Sequence, residues 1–174
     1  MLFRSKPAED EAFRAAAAQR GIRTFIHSPY LVNLGSPTAK TYENSVAVVA
    51  HNLRRAAEIG AEGVVVHTGS YVDTQADPEG AAQRHAAALT QVREGLLPIL
   101  DALGEDGPWL LLEPTAGQGR SLCAGVEDLG DVGEAIGDGW GELMDTGEAI
   151  GDLGGDAVDA VGDGISDAWS SVFG

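Results

Sequence analysis

The sequence has little cysteine, no long apolar run and, after Arg120, no positive charge. Cys123 is the only cysteine in 174 residues, so no internal disulfide is expected and a reducing compartment is favoured. No run reaches the roughly 20 apolar residues that cross a bilayer. Arg4 and Lys6 lead into an acidic stretch, where a secretory signal would have an apolar segment. We therefore expect a soluble, cytoplasmic protein with no membrane partner.

Charge divides the chain into two regions of different character. All 11 lysines and arginines lie at or before Arg120, whereas residues 127–174 contain 13 acidic residues, no base and no histidine. Most of the net charge of −16 therefore falls on the C-terminal part, since 14 acids face 11 bases in the preceding residues. Such asymmetry indicates separate regions, and we predict a domain over residues 1–129 and an acidic tail over residues 130–174.

The first region alternates helical and strand-like patterns. Alanine-rich segments and apolar positions three or four apart predict three helices, at residues 8–20, 38–58 and 78–103. Pro98 is expected to bend or interrupt the last of them. Short apolar runs predict three strands, at residues 22–26, 64–66 and 109–112. This order is typical of an α/β sheet or a (β/α) barrel, whose parallel strands are buried on both faces.

Each predicted strand leads into a side chain that can bind a metal ion. His27 follows the first strand, His67 the second and Glu113 the third. Because the carboxyl ends of parallel strands meet at one edge, we expect these side chains to converge. Two imidazoles and a carboxylate suit zinc, with an open position for water or substrate. A single histidine at a strand end is more often structural, and His51 and His85, in predicted helices, are interpreted as surface or core-edge residues.

The segments around these residues resemble the endonuclease IV family of AP endonucleases. The resemblance is carried by HSPYLVNL from His27, GVVVHTGS ending at Ser70, and LLLEPTAGQG around Glu113, in that order. It extends from about residue 4 to residue 129. It implies a TIM barrel that uses zinc to hydrolyse DNA phosphodiester bonds on the 5′ side of abasic sites in base excision repair.

The resemblance also implies roles for individual residues. Three of them match the ligands of one zinc ion: His27, His67 and Glu113. Glu113 is the residue expected to take part in catalysis. Three others match a loop that contacts double-stranded DNA at an abasic site: Tyr30, Leu31 and Asn33. Apolar side chains inserted between base steps stabilise a kinked duplex with the lesion turned outward.

The chain also departs from the family pattern. A TIM barrel has eight strands, whereas three are recognisable here, and no histidine follows Glu113 to provide further zinc ligands. We therefore expect a partial TIM-type (β/α) barrel. The alternative function is a non-catalytic, truncated barrel fragment that acts as an oligomerisation or interaction module. A metal enzyme of the sugar isomerase kind is a third interpretation, which PYLVNL and EPTAGQG disfavour.

The tail carries an internal repeat and a helical pattern. GEAIGD begins at Gly133 and again at Gly147, and apolar and acidic residues recur on separate faces with a period near 3.6. This predicts an amphipathic helical tail over residues 130–174. Because 12 glycines lie in residues 127–174, and each costs about 1 kcal/mol relative to alanine, an isolated helix would be marginal. Self-association through this segment would bury its apolar stripe; a low-complexity tail without function is the alternative.

Overall fold

The computed structural model describes residues 6–71, 80–104, 106–115, 120–126 and 128–137. Its helices are α1 (Pro7–Gln19), α2 (Ala39–Ile59), α3 (Ala81–Leu103) and α4 (Asp128–Ile136). Its strands are β1 (Phe25–His27), β2 (Gly63–His67) and β3 (Trp109–Glu113). Helices and strands alternate along the chain, as the sequence predicted. No helix among the described residues combines the length and apolar character that crossing a membrane requires.

The three strands form one parallel sheet with β2 in the centre. Phe25 and Trp109 both pair with Gly63 at the first residue of β2, and His67 pairs with Glu113 at its last. This confirms the predicted partial (β/α) barrel with three parallel strands. β2 is the most buried of the three strands, with Gly63, Val64 and Val66 buried. β1 and β3 are the edges of the described sheet: Phe25 is 42% exposed and Trp109 55%.

The core lies where the helices cover the sheet. In α2 the buried apolar positions are Val49, Leu53 and Ala56, and in α3 they include Val92 and Leu96. These spacings of three and four place each set on one side of its helix. Burial of each large aliphatic side chain stabilises the fold by about 1.5–3 kcal/mol. The apolar periodicity seen in the sequence therefore marks the buried face of each helix, and α2 packs against β1 and β2.

The boundaries of two elements differ from the predictions. The first strand begins at Phe25, three residues after Ile22, which is 55% exposed. Pro98 was expected to bend or interrupt its helix; it does not interrupt it, since α3 continues through it to Leu103, and the bend stays a prediction. An internal proline costs about 3 kcal/mol or more. Burial of Leu96 and Leu100 on either side of this exposed proline keeps the helix continuous.

Helix α1 is fixed to α2 by an ion pair between largely buried side chains. Arg55 donates to both carboxylate oxygens of Asp10, at 2.7 and 2.9 Å. The side chains of Arg55 and Asp10 are 16% and 13% exposed. A bidentate arginine–carboxylate pair of this kind is both strong and directional. It holds α1 against α2, outside the group of side chains at the strand ends.

Helix α4 packs against α3 at the end of the described chain. Val132 and Ile136 of α4 are buried, and Arg93 of α3 donates to the carbonyl of Ala135 at 2.9 Å. A cation at a helix C-terminus also interacts favourably with the helix dipole. The chain divides after Ile136 into two units, so the boundary predicted after residue 129 stays a prediction. The first residues of the predicted helical tail, 130–136, are helical as part of α4. The rest of that prediction and the proposed self-association fall on residues 138–174, which lie outside the described residues.

Candidate metal centre

The carboxyl ends of the three strands bring together the side chains that the sequence singled out. β1 ends at His27, β2 at His67 and β3 at Glu113. One ligand atom from each lies within 4.8 Å of the others. Parallel pairing places the three strand ends at the same edge of the sheet. Residues 40 or more positions apart in the chain therefore form one group that could hold a metal ion.

One carboxylate oxygen of Glu113 lies close to both imidazole rings. Glu113 Oε2 lies 2.8 Å from His27 Nε2 and 3.7 Å from His67 Nε2. The two imidazole rings meet edge to face, with centroids 5.3 Å apart. The His67 side chain is 15% exposed, whereas those of His27 and Glu113 are 53% and 43% exposed. His67 is thus the largely buried member of the group, and the other two residues are open to solvent.

The second nitrogen of each imidazole faces an oxygen of the protein. His27 Nδ1 lies 2.8 Å from the carbonyl oxygen of Ser28, to which it donates. His67 Nδ1 lies 3.4 Å from the carbonyl oxygen of Glu113 and 3.5 Å from Thr115 Oγ1. Outer partners of this kind fix the ring orientation of metal-binding histidines. Sequence reasoning missed Thr115, whose only signal was its position two residues after Glu113.

The donor set fits a divalent cation. Both nitrogens of His27 face oxygens, so the hydrogen bond to Ser28 and then that to Glu113 hold the pKa of His27 above its ordinary value. Binding of a divalent cation requires an unprotonated imidazole nitrogen, so a cation among the same atoms competes with protonation of the ring. Two imidazole nitrogens and one carboxylate oxygen are ligands that zinc accepts.

The loop after β1 exposes two large side chains, one of which contacts the group. Tyr30 is 62% exposed and Leu31 is 87% exposed. The Tyr30 ring lies edge to face with the His67 ring, at a centroid distance of 5.8 Å. Asn33 has different surroundings, since it is half-buried and accepts a hydrogen bond from the backbone of Ser70. The three residues predicted to contact DNA therefore share a loop, but only two of them are strongly exposed.

A pocket of about 150 Å³ opens next to His67. Its walls come from the loops that follow the three strands, and the residues are Tyr30, Val32, Asn33, His67, Gly69, Ser70, Thr115 and Ser121. Four of these eight residues carry hydroxyl groups. His51 and His85 lie in α2 and α3, outside the metal-binding group found among the described residues. This agrees with their interpretation as residues at the edge of the core, since both are half-buried.

Comparison with known proteins decides the family. A family model described as xylose isomerase-like TIM barrel matches residues 2–172. The chain belongs to this family. It is 53% identical to the probable endonuclease 4 of Streptomyces avermitilis over 131 residues, which cover 75% of this chain and 40% of that protein. The resemblance to endonuclease IV predicted from the three motifs is thereby confirmed for this member of the xylose isomerase-like TIM barrel family.

Solved structures of two kinds share the fold of this family member. The crystal structure of endonuclease IV from Thermus thermophilus matches with a TM-score of 0.58 at 40% identity, covering 75% of this chain and 43% of that chain. A D-tagatose 3-epimerase-like protein matches with a TM-score of 0.57 at 18% identity, covering 77% of this chain and 47% of that chain. The second likeness concerns the fold alone. The chain therefore spans less than half the length of either solved structure.

Proposed function

We propose that this chain binds zinc through His27, His67 and Glu113 as part of a DNA-hydrolysing site of the endonuclease IV type. The proposal is carried by the meeting of these three side chains at one edge of the sheet, with ligand atoms within 4.8 Å of one another. The motifs around them and the identity of 53% to a probable endonuclease 4 support the choice of reaction. The proposed reaction is hydrolysis of the phosphodiester bond 5′ to an abasic site.

The chemistry of this site follows from the charge of a phosphodiester. When bound, zinc supplies Lewis acidity towards the anionic phosphate oxygens and a lowered pKa of water. His27 and His67 would hold the ion as neutral ligands through Nε2, because the Nδ1 atom of each faces a carbonyl oxygen. Glu113 contributes the negative charge, and its carboxylate, 43% exposed, is open to an approaching substrate, which suits the catalytic role proposed for it.

The exposed part of the loop after β1 supports a DNA-binding role. Tyr30 and Leu31 present apolar surface to solvent, at exposures of 62% and 87%, and the Tyr30 ring contacts the His67 ring. Apolar side chains that enter the minor groove unstack a base step and bend the duplex. An abasic nucleotide is more easily turned out of the helix than a paired one, because it has no base to unpair. Asn33 is proposed to contact DNA from the same loop.

Metal content and cleavage test this function together. We expect purified protein to contain about one zinc ion per chain and to nick a duplex carrying one abasic site. The change His67→Ala should abolish both, whereas His85→Ala is a matched control because His85 lies outside the group. Unchanged metal occupancy in His67→Ala would refute the site. Zinc binding without cleavage would instead favour a non-catalytic, metal-binding module.

A further inference from the structure

Two hydrogen bonds join the loop after β1 to the loop after β2. Asn33 Oδ1 accepts from the backbone N–H of Ser70 at 3.0 Å. Next along the chain, the backbone N–H of Leu34 donates to the carbonyl of Thr68, also at 3.0 Å. Thr68 directly follows His67, so the link begins one residue beyond a proposed metal ligand. The position of His67 is therefore tied to the loop of the neighbouring strand as well as to β2.

The two loops approach each other too closely for a side chain at Gly69. Gly69 has a φ of +88°, which disfavours other residues. A Cβ built at this position would lie 2.3 Å from Asn33 Oδ1 and 2.6 Å from Asn33 Cα. Real Cβ atoms do not make contacts this short with backbone. Glycine between Thr68 and Ser70 is therefore what allows the Asn33 amide to reach its partner.

Asn33 is itself held in place from helix α2. Its backbone N–H donates to Ser45 Oγ at 2.9 Å, and that hydroxyl donates to the carbonyl of Thr41 at 2.7 Å. The neighbouring Leu34 is fully buried, and its carbonyl accepts from Gln91 Nε2 of α3 at 2.7 Å. Because both helices hold this part of the loop, the Asn33 side chain is a fixed anchor for the loop after β2.

We infer that Asn33 is a positioning residue of the metal centre, which keeps the His67 ring turned towards Glu113 by anchoring the Thr68–Ser70 segment. The inference rests on the proposed metal function and adds to the DNA contact proposed for Asn33. The amide acts through the backbone N–H of Ser70 and needs no contact with the ion. Substitutions of such outer partners weaken metal binding by about 10–100-fold.

Zinc affinity, measured by chelator competition, separates positioning from general stability. We expect Asn33→Ala to bind zinc about 10-fold or more weakly than the unmodified chain. Asn33→Asp retains an oxygen that accepts from Ser70, so its affinity should stay within about threefold of the unmodified chain, well short of that loss. Asp10→Ala breaks the ion pair to Arg55 outside the site, and should lower the melting temperature without changing zinc affinity. Unchanged affinity in Asn33→Ala, or an equal loss in Asp10→Ala, would overturn the inference.

Amide hydrogen exchange in metal-free protein tests the same link independently of zinc. The Ser70 N–H should be protected in the unmodified chain and in Asn33→Asp, and should exchange at least about tenfold faster in Asn33→Ala. If the unmodified chain takes up no zinc, the proposed function fails, while the exchange rates still report on the link. Equal Ser70 protection in all three proteins would show that Asn33 does not anchor this loop.

Discussion

His67 and Glu113 are paired residues at the ends of neighbouring parallel strands, with His67 Nε2 3.7 Å from Glu113 Oε2. Paired positions of adjacent strands present their side chains on the same face of a sheet, so backbone pairing alone brings these two ligands together. His27 pairs with Val65, two residues before the end of β2. Its side chain nevertheless reaches Glu113 at 2.8 Å. In the metal group, His67 and Glu113 meet because they are paired on adjacent strands. His27 and Glu113 meet although their strands, β1 and β3, are not adjacent.

Glu113→Gln is expected to remove zinc binding while keeping the shape of the side chain. The amide carries no negative charge, so the binding site would consist of two neutral imidazoles and a weak oxygen donor. We expect the zinc affinity to fall by more than about 100-fold, beyond the loss typical of outer partners. Glu62→Gln is the matched control, since Glu62 lies outside the metal group and pairs with Arg23. Equal zinc affinity in both variants, measured by chelator competition, would contradict the ligand role.

Gly69→Ala is expected to destabilise the fold by about 2–4 kcal/mol, because it combines backbone strain with a steric clash. The added Cβ would lie 2.6 Å from Asn33 Cα at a residue with a φ of +88°. Gly21 has a φ of +61° with nothing within 4 Å of its Cβ position. Gly21→Ala should therefore cost only about 1 kcal/mol of strain. Urea unfolding of both variants measures the difference, and equal free energies of unfolding would refute the close approach.

Two glycines in helices are expected to respond to alanine in opposite directions. Gly130 in α4 is exposed, and its Cβ would meet nothing within 4 Å. Gly130→Ala should stabilise the protein by up to about 1 kcal/mol through helix propensity. At Gly95 in α3, the Cβ would lie 2.8 Å from both Tyr42 Oη and Val46 Cγ2. Gly95→Ala should instead destabilise by about 1–3 kcal/mol through overpacking. Thermal unfolding distinguishes them, and stabilisation by Gly95→Ala would show that α2 and α3 are not closely packed.

The double change Tyr30→Ala and Leu31→Ala is expected to weaken DNA binding without weakening zinc binding. Both side chains are strongly exposed, so stability should change by no more than about 0.5 kcal/mol. Loss of the apolar wedge should lower affinity for a duplex with one abasic site by about tenfold or more. Ile22→Ala is the control, because Ile22 is 55% exposed and precedes β1. Fluorescence anisotropy measures the affinities, and equal loss in the control would argue against a specific wedge.

The order of elements could be read from the sequence because it depends on local patterns. Apolar spacing of three and four residues marked α2 and α3, and the short apolar runs at Val64–Val66 and Trp109–Leu112 fell within β2 and β3. The start of β1 was predicted three residues too early, at Ile22. β-branched and aromatic residues favour strands wherever they occur. The start of β1 is defined by its pairing with β2, and the first residue of β1 in that pairing is Phe25.

Pro98 was expected to bend or interrupt α3, and the interruption is absent for a related reason. Local chemistry correctly identifies the lost hydrogen bond of a proline, but it does not report how strongly the surrounding helix is held. In α3, the buried side chains of Leu96 and Leu100 lie on either side of the proline. Their contribution comes from packing against other elements. A local rule was therefore overridden by tertiary burial.

The sequence by itself determined which residues could serve as metal ligands and that they end successive strands. His27, His67 and Glu113 carry the chemistry in their side chains, and their positions follow from local strand patterns. The tertiary structure decided the distances, the orientation of each ring and the partners of Nδ1, including Thr115. It also decided the link between Asn33 and Ser70. These contacts join residues far apart in the chain, so their geometry depends on strand register and helix packing, which no local pattern encodes.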